Sequence, residues 1–412
     1  MTKGRLWFLA IAAAMGGFLF GYDTAVINGG EQQIQRLWNL SAVAHGWLMS
    51  AALWGTVVGA LTGGRICDRI GRKKSLLGVG IGFLVGSVWS ALAHSPVEMM
   101  IARLVGGFAV GVSSIAAPVY IAEIAPAEKR GQLGGLFQFN IVLGMVVSQF
   151  VNWWIGSAGL GDVTWRWMLG AMAVPSLLFT VLCPFLTESP RWLEMKAGGS
   201  SLTSGQETAS PFFSRTNLRP IMLAFCVAMF NQLSGINAMM YFAKRVFELA
   251  GFSPSLALGC AAAMSVVLGA GTFAGLFLID RVGRRTLLIV GSVGCIGAHF
   301  ATAAAFLLNW GLMAALCIFP FIVFFAIGQG VVIWVFISEI FPQRFRAQGQ
   351  SFGAGTHWTF CAILTFVFPI MAVRFAPWAI FVFFGLCLVA HLVWAVFVCP
   401  ETKGKTLEEL AS

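Results

Sequence analysis

Apolar stretches long enough to cross a bilayer, about 20 residues each, follow one another along almost the whole of this chain. An isolated stretch of that kind could be an anchor or a signal segment. Twelve in succession leave little sequence from which to build a water-soluble domain. The stretches fall at about 6–28, 45–66, 75–94, 97–119, 133–156, 166–187, 219–244, 255–279, 286–308, 311–340, 349–373 and 377–398. None shows the strict two-residue alternation of a transmembrane barrel strand. Helices, which satisfy their own backbone hydrogen bonds in lipid, are therefore the expected element. Only 10% of residues are charged against 58% hydrophobic, well below the roughly 25% charged residues of a soluble domain. The first stretch has the length of a retained helix rather than of a cleaved leader.

The net charge of +10 would suggest nucleic acid in a soluble protein, but the positions of the basic residues point to membrane topology instead. Twenty of the 26 Lys and Arg residues lie in both tails and in alternate connections: Lys3, Arg5, Arg65, Arg69, Arg72, Lys73, Lys74, Lys129, Arg130, Arg191, Lys196, Arg215, Arg219, Arg281, Arg284, Arg285, Arg344, Arg346, Lys403 and Lys405. Five lie on the other side: Arg36, Arg166, Lys244, Arg245 and Arg374. This asymmetry predicts a multi-pass protein of the cytoplasmic (inner) membrane with both termini in the cytoplasm. The lipid bilayer is its expected environment, and no nucleic-acid partner is expected. Nine scattered Cys residues, with no paired spacing, read as small core residues rather than disulfides or metal ligands.

The chain also repeats itself. Asp68-Arg-Ile-Gly-Arg-Lys returns as Asp280-Arg-Val-Gly-Arg-Arg. Glu123, seven residues before Arg130, returns as Glu339, seven before Arg346. Glu188 in Thr-Glu-Ser-Pro-Arg191 returns as Glu401 in Pro-Glu-Thr-Lys. The offsets are 212, 216 and 213 residues, so three matches in register predict two duplicated, pseudo-symmetric six-helix halves. Residues 1–191 form the first half and 219–412 the second half with a cytoplasmic tail. Residues 192–218, rich in Gly and Ser near 198–205, read as a flexible cytoplasmic linker. Parallel repeats predict a central site reached alternately from each side.

Several motifs are more specific. Gly64-Arg-Ile-Cys-Asp68-Arg-Ile-Gly-Arg-Lys resembles the signature loop of the major facilitator superfamily. Pro118-Val-Tyr-Ile-Ala-Glu123 through Arg130-Gly, Glu188-Ser-Pro-Arg-Trp, Gln232-Leu-Ser-Gly-Ile-Asn237 and Pro400-Glu-Thr-Lys-Gly404 resemble its sugar porter branch. The resemblance covers nearly the whole chain. It implies an all-α major facilitator fold, a small-molecule sugar (pentose or hexose) as cargo, and a monomer. It also implies secondary transport with no cofactor, the proton serving as coupling ion.

The residues themselves support that reading. Asp23 and Arg103 are the carboxylate and the cation expected at depth within spans. Such groups are costly in lipid and usually face a partner or a water-filled cavity, so the economical arrangement pairs them. The resemblance gives that pair to proton coupling. Amides and aromatics suit a sugar's neutral hydroxyls and apolar ring face, and Phe20, Gln138, Gln232, Asn237, Tyr241, Trp334, His357 and Trp358 stand at the family's substrate positions. Gly235 is expected to bend one span and Gly328-Gln-Gly330 to break another. The charged connections supply Arg65, Asp68, Arg72, Glu123, Arg130, Glu188, Arg191, Asp280, Arg284, Glu339, Arg346 and Glu401. Lys and Arg alone would set topology, so the recurring carboxylates point to ion pairs that close a cytoplasmic gate.

Some positions depart from the family pattern. Asn231 replaces a common Gln, Leu268 or Gly269 stands where an amide is frequent, His357 replaces an amide, and the 192–218 linker is short. His299 and His391 read as structural hydrogen-bonding groups. Neither a Ser/His/Asp set, a metal cluster nor a phosphate-cradling loop is legible, which disfavours an enzyme. A facilitative uniporter and a non-transporting sugar sensor are the alternatives. Counterflow separates a sensor from a transporter.

Overall fold

The computed structural model describes residues 3–126, 130–197, 212–342 and 345–403. The first half of the chain is built from α1 (Lys3–Leu37), α2 (Ala42–Ile70), α3 (Arg72–Leu92), α4 (Pro96–Ile124), α5 (Arg130–Ser157), α6 (Thr164–Ala171), α7 (Ala173–Leu182) and the short α8 (Pro190–Lys196). The second half holds α9 (Leu218–Leu233), α10 (Ile236–Tyr241), α11 (Ala243–Leu249), α12 (Pro254–Val282), α13 (Arg284–Leu307), α14 (Gly311–Phe325), α15 (Val331–Ile340), α16 (Arg346–Arg374) and α17 (Pro377–Phe397). Twelve segments among the described residues are long and apolar enough to cross a membrane, and no strand occurs among them. The chain divides into two compact units, Met1–Ser41 with Trp47–Ala209 and Ala42–Gly46 with Ser210–Ser412.

Local chemistry explains where helices start. α4, α8 and α12 each begin at Ser-Pro: Ser95, Ser189 and Ser253 accept a hydrogen bond from the backbone N–H three residues on, and the proline fills a position whose own N–H would have no helical partner. Two interruptions follow the glycines singled out in the sequence. Gly235 takes φ +86° and separates α9 from α10, a conformation open to glycine at little cost. Between α14 and α15, Ala326–Gly330 widens into a π-helical turn, a form frequent at functional sites.

Small residues govern the packing of α1 against α5. A Cβ on Gly21 would collide with the carbonyl of Ile141, and one on Gly144 with the carbonyl of Phe18, so the two backbones approach closely. In the second unit, a core of Leu223, Val227, Leu288, Val332, Phe336, Ile337 and Phe341 joins α9, α13 and α15. Outward-facing Trp154, Phe277 and Phe397 are 73%, 72% and 80% exposed. Aromatic side chains so exposed suit lipid as the surrounding medium.

The span boundaries differ from expectation in one consequential place. α1 does not stop near residue 28 but runs to Leu37, carrying Asn28, Glu31 and Gln32 into buried positions. Their neighbours are supplied by tertiary packing, which the polar run Glu31-Gln-Gln-Ile-Gln-Arg36 does not reveal on its own.

Candidate functional site

Each unit places its own set of polar groups. In the first unit, Asp23 on α1 and Arg103 on α4 are 5% and 3% exposed. Arg103 Nη1 donates to Asp23 Oδ1 at 2.6 Å, and Nη2 reaches the Asp23 carbonyl at 3.4 Å. The guanidinium thus grips both the side chain and the backbone of one residue. Gly106, one turn beyond Arg103, lies beside the carboxylate: a Cβ there would sit 3.8 Å from Asp23 Oδ1, an ordinary contact. Phe20 is buried one turn before Asp23 on α1, and Gln138 is half-buried on α5.

The second unit holds a connected amide cluster around the Gly235 break. Gln232 is fully buried. Its Nε2 donates to Asn231 Oδ1 at 3.0 Å and faces the His357 ring, with Nδ1 at 3.0 Å and Nε2 at 3.1 Å. A neutral imidazole has a single acceptor nitrogen, so the two amide protons of Gln232 are satisfied by Asn231 and His357. Its Oε1 accepts from Asn237 Nδ2 at 2.6 Å. Asn237 is half-buried, and its Oδ1 forms no hydrogen bond among the described residues. The fully buried Gln232 therefore orients Asn237, which keeps an acceptor to offer. Trp334 and Trp358 flank His357, each with its ring centroid 5.0 Å from the imidazole. Tyr241, at the end of α10, is buried.

In the layer behind this cluster, sequence reasoning gave a structural hydrogen-bonding role to His299 and His391 alone. Asn231 Nδ2 donates to the Gln329 carbonyl in the π-helical turn at 3.2 Å. Gln329 Nε2 lies 3.0 Å from His391 Nδ1, and Ser292 Oγ lies 2.8 Å from the same nitrogen. The Gly-Gln-Gly break signalled a distortion, but nothing in the pattern revealed that its Gln would meet His391. His299 bonds the Ser234 carbonyl at 2.9 Å, bracing the residue before the break. Leu268 and Gly269, on α12, bring no amide.

The repeated charged motifs form two matching ion cages. Arg72 Nε and Nη2 each donate to Glu123 at 2.9 Å, and Nη1 lies 3.0 Å from Asp68. Arg284 repeats this with Glu339 at 3.0 and 2.7 Å and Asp280 at 3.2 Å. A second carboxylate caps each following helix. Glu188 accepts the N–H groups of Arg72 and Lys73 at 2.9 and 3.1 Å, and Glu401 those of Arg284 and Arg285 at 2.9 and 3.0 Å. Both carboxylates face the positive end of a helix dipole. Gly71 and Gly283, at φ +96° and +100°, make the turn, and a Cβ on either would strike the capping carboxylate. Burial works against the charge of Glu401, but N–H groups of Lys403, Arg284, Arg285 and Thr402 outweigh it and hold its carboxyl below the usual range.

Not every expected member joins a cage. Arg65 and Arg191 are exposed, and among the described residues neither forms an ion pair. The register of the α2–α3 turn gives both Asp68 and Glu123 to Arg72, leaving Arg65 to solvent. The side chains of Arg130 and Arg346 lie outside the described residues, as do positions 198–211 of the linker. Asp23 is also not the sole carboxylate buried in a span, because Glu31 on the extended α1 is fully buried.

The chain as a whole is similar to known transporters. The chain is 32% identical to the arabinose-proton symporter of Bacillus subtilis, over 99% of this chain and 95% of that protein. It is 32% identical to the D-xylose-proton symporter of Escherichia coli, over 99% and 96%. Among solved structures, a crystal structure of a D-xylose-proton symporter superposes with a TM-score of 0.86 at 30% identity, covering 97% of this chain and 99% of that one. These likenesses are to transporters rather than enzymes. With the family model for "sugar (and other) transporter" matching residues 9–201 and 194–412, the chain belongs to the sugar porter family of the major facilitator superfamily.

Proposed function

We propose that this protein is a monosaccharide:proton symporter of the cytoplasmic membrane, working by alternating access with both termini in the cytoplasm. The observation that carries the coupling is the buried Asp23–Arg103 pair at 2.6 Å. A charge-assisted bond of this kind is strong while Asp23 is ionised and weakens once it takes up a proton. Protonation therefore frees Arg103 and the α1–α4 contact to rearrange, and deprotonation restores it. The names of the arabinose-proton and D-xylose-proton symporters, each 32% identical to this chain, support the same chemistry. A pentose or hexose is the proposed cargo, and the protein acts as a monomer.

Asn237 is the principal amide for the sugar hydroxyls, with Gln232 setting its orientation and His357 setting that of Gln232. Trp334 and Trp358 offer aromatic faces, and Phe20, Gln138 and Tyr241 complete the proposed substrate set. The Arg72 and Arg284 cages act as the cytoplasmic gate. Residues 1–191 and 219–412 act as the moving halves, joined by 192–218.

A competition panel of L-arabinose, D-xylose, D-glucose and a polyol, run with and without a proton gradient, tests this reading. Gradient-driven accumulation of one monosaccharide supports it. Saturable entry that never exceeds the outside concentration replaces symport by uniport. Binding without counterflow replaces transport by sensing.

A further inference from the structure

The extended α1 carries more polar groups than the coupling pair uses. Beyond Asp23, Thr24, Asn28, Glu31 and Gln35 recur every three or four positions, the spacing of a single helix stripe. Thr24, Asn28 and Glu31 are 5%, 0% and 0% exposed. A fully buried carboxylate in a membrane helix is costly and usually functional. Glu31 is eight residues past Asp23, about 12 Å along the helix at ~1.5 Å per residue.

α5 supplies the facing groups. Gln149 and Asn152 are both fully buried. Gln149 Oε1 accepts from Asn28 Nδ2 at 3.1 Å, and Asn152 Nδ2 donates to the Val26 carbonyl at 3.0 Å. That leaves Gln149 Nε2 and Asn152 Oδ1 as a buried donor and a buried acceptor with no protein partner among the described residues. Leaving such atoms dry costs roughly 1–3 kcal/mol each, and polar sites of this kind are where buried water is held. Gly29 permits the arrangement: a Cβ there would come within 2.7 Å of Asn152 Cγ and push the amide off α1.

We propose that this α1–α5 seam is a proton path, with Glu31 a second proton-carrying carboxylate that serves Asp23. The proposal rests on the symport reading. A proton from water at the C-terminal end of α1, external in the proposed orientation, binds the Glu31 carboxylate. It then passes through waters held by Asn28, Gln149 and Asn152 to the Asp23 carboxylate. Glu31 returns to its ionised form as Asp23 becomes neutral. The amides carry no proton themselves; they order the waters that do. The helices of this unit carry further titratable groups, among them Lys3, Arg5 and Tyr22 on α1, with Tyr22 buried beside Asp23. Arg36 bonds Gln32 at 3.4 Å, and Arg166 on α6 bonds the Ala91 carbonyl at 2.7 Å. Arg103 on α4 holds Asp23, Glu98 and Glu123 lie at the two ends of α4, and Arg72, Lys73 and Lys74 open α3. α7 has no titratable side chain but Cys183 just beyond it, and α5 has only Arg130 at its start.

Proteoliposomes containing the unsubstituted protein, Glu31→Gln, Glu31→Asp and Gln149→Met test the path. The sugar is whichever of L-arabinose, D-xylose and D-glucose the unsubstituted protein accumulates. The expected result is sugar-evoked proton uptake slowed at least ~10-fold in Glu31→Gln, partly restored in Glu31→Asp, with sugar counterflow retained. Gln149→Met, which keeps the carboxylate but removes the water-ordering amide, is expected to slow proton uptake as well. Should Glu31→Gln fail to fold, Gln149→Met decides alone. Unsubstituted proton-uptake rates in a folded Glu31→Gln or in Gln149→Met overturn the path while leaving symport intact. Absence of proton uptake in the unsubstituted protein overturns both.

Discussion

Arg103 closes on Asp23 at 2.6 Å, with both side chains almost completely buried. Removing one partner of such a pair strands the other charge in a low-dielectric setting. Arg103→Gln is expected to destabilise the protein by ~3 kcal/mol or more. The double variant Asp23→Asn/Arg103→Gln is expected to recover part of that loss, because no charge is left unpaired. Thermal unfolding in detergent checks the pair. A double variant whose Tm falls by the sum of the two single losses would mean the two residues do not depend on each other.

Within each ion cage, burial separates partners that look equivalent in sequence. The Glu123 side chain is 8% exposed and bonds Arg72 through both oxygens, whereas that of Asp68 is 67% exposed. Glu123→Gln is expected to cost ~3 kcal/mol, and Asp68→Asn about 0.5 kcal/mol. If the cage closes the cytoplasmic gate, Glu123→Gln also raises cysteine-reagent access from that side. Matching Tm changes in the two variants would contradict the burial argument.

In the amide cluster, Asn237→Ala removes the acceptor proposed to meet the sugar, and Gln232→Ala removes the amide bonded to Asn237. A lost hydrogen bond of ~1–3 kcal/mol corresponds to a roughly 5- to 150-fold weaker sugar affinity. Both variants are expected to fall in that range, while Phe277→Ala, on the outward face of α12, does not. The comparison is made from the sugar concentration at half-maximal counterflow.

Glu401 provides a pH dependence of known sign. Its carboxyl is held below the usual range in the folded protein, so its stabilising effect is full above the ordinary carboxylate range. That effect is lost as pH falls through the lower folded-state value. The Tm difference between the unsubstituted protein and Glu401→Gln is expected to be largest near neutrality and to shrink on acidification. A difference that grows toward acid would reverse the assignment.

Most of the architecture was legible because lipid imposes simple rules. Span length, alternate basic connections and three in-register repeats fix helix number and duplication without any knowledge of contacts. Gly235 and Gly328-Gln-Gly330 marked real interruptions, since φ > 0 and a π-helical turn leave local traces. What stayed hidden depends on tertiary neighbours. Glu31 reads as loop because its run is polar, and only packing around the extended α1 buries it. Gln329 and His391 are 62 residues apart, and no periodicity joins them. Arg65 and Arg72 look interchangeable in sequence, yet only Arg72 stands where Asp68 and Glu123 converge.

The central claim is that sugar and proton move together through Asp23. The most direct measurement is sugar-evoked proton uptake in proteoliposomes, compared between the unsubstituted protein and Asp23→Asn, with sugar counterflow recorded on the same samples. The account predicts proton uptake with sugar in the unsubstituted protein, and its loss in Asp23→Asn with counterflow preserved. Uphill sugar accumulation surviving in Asp23→Asn, or sugar entry with no proton movement in the unsubstituted protein, would contradict it.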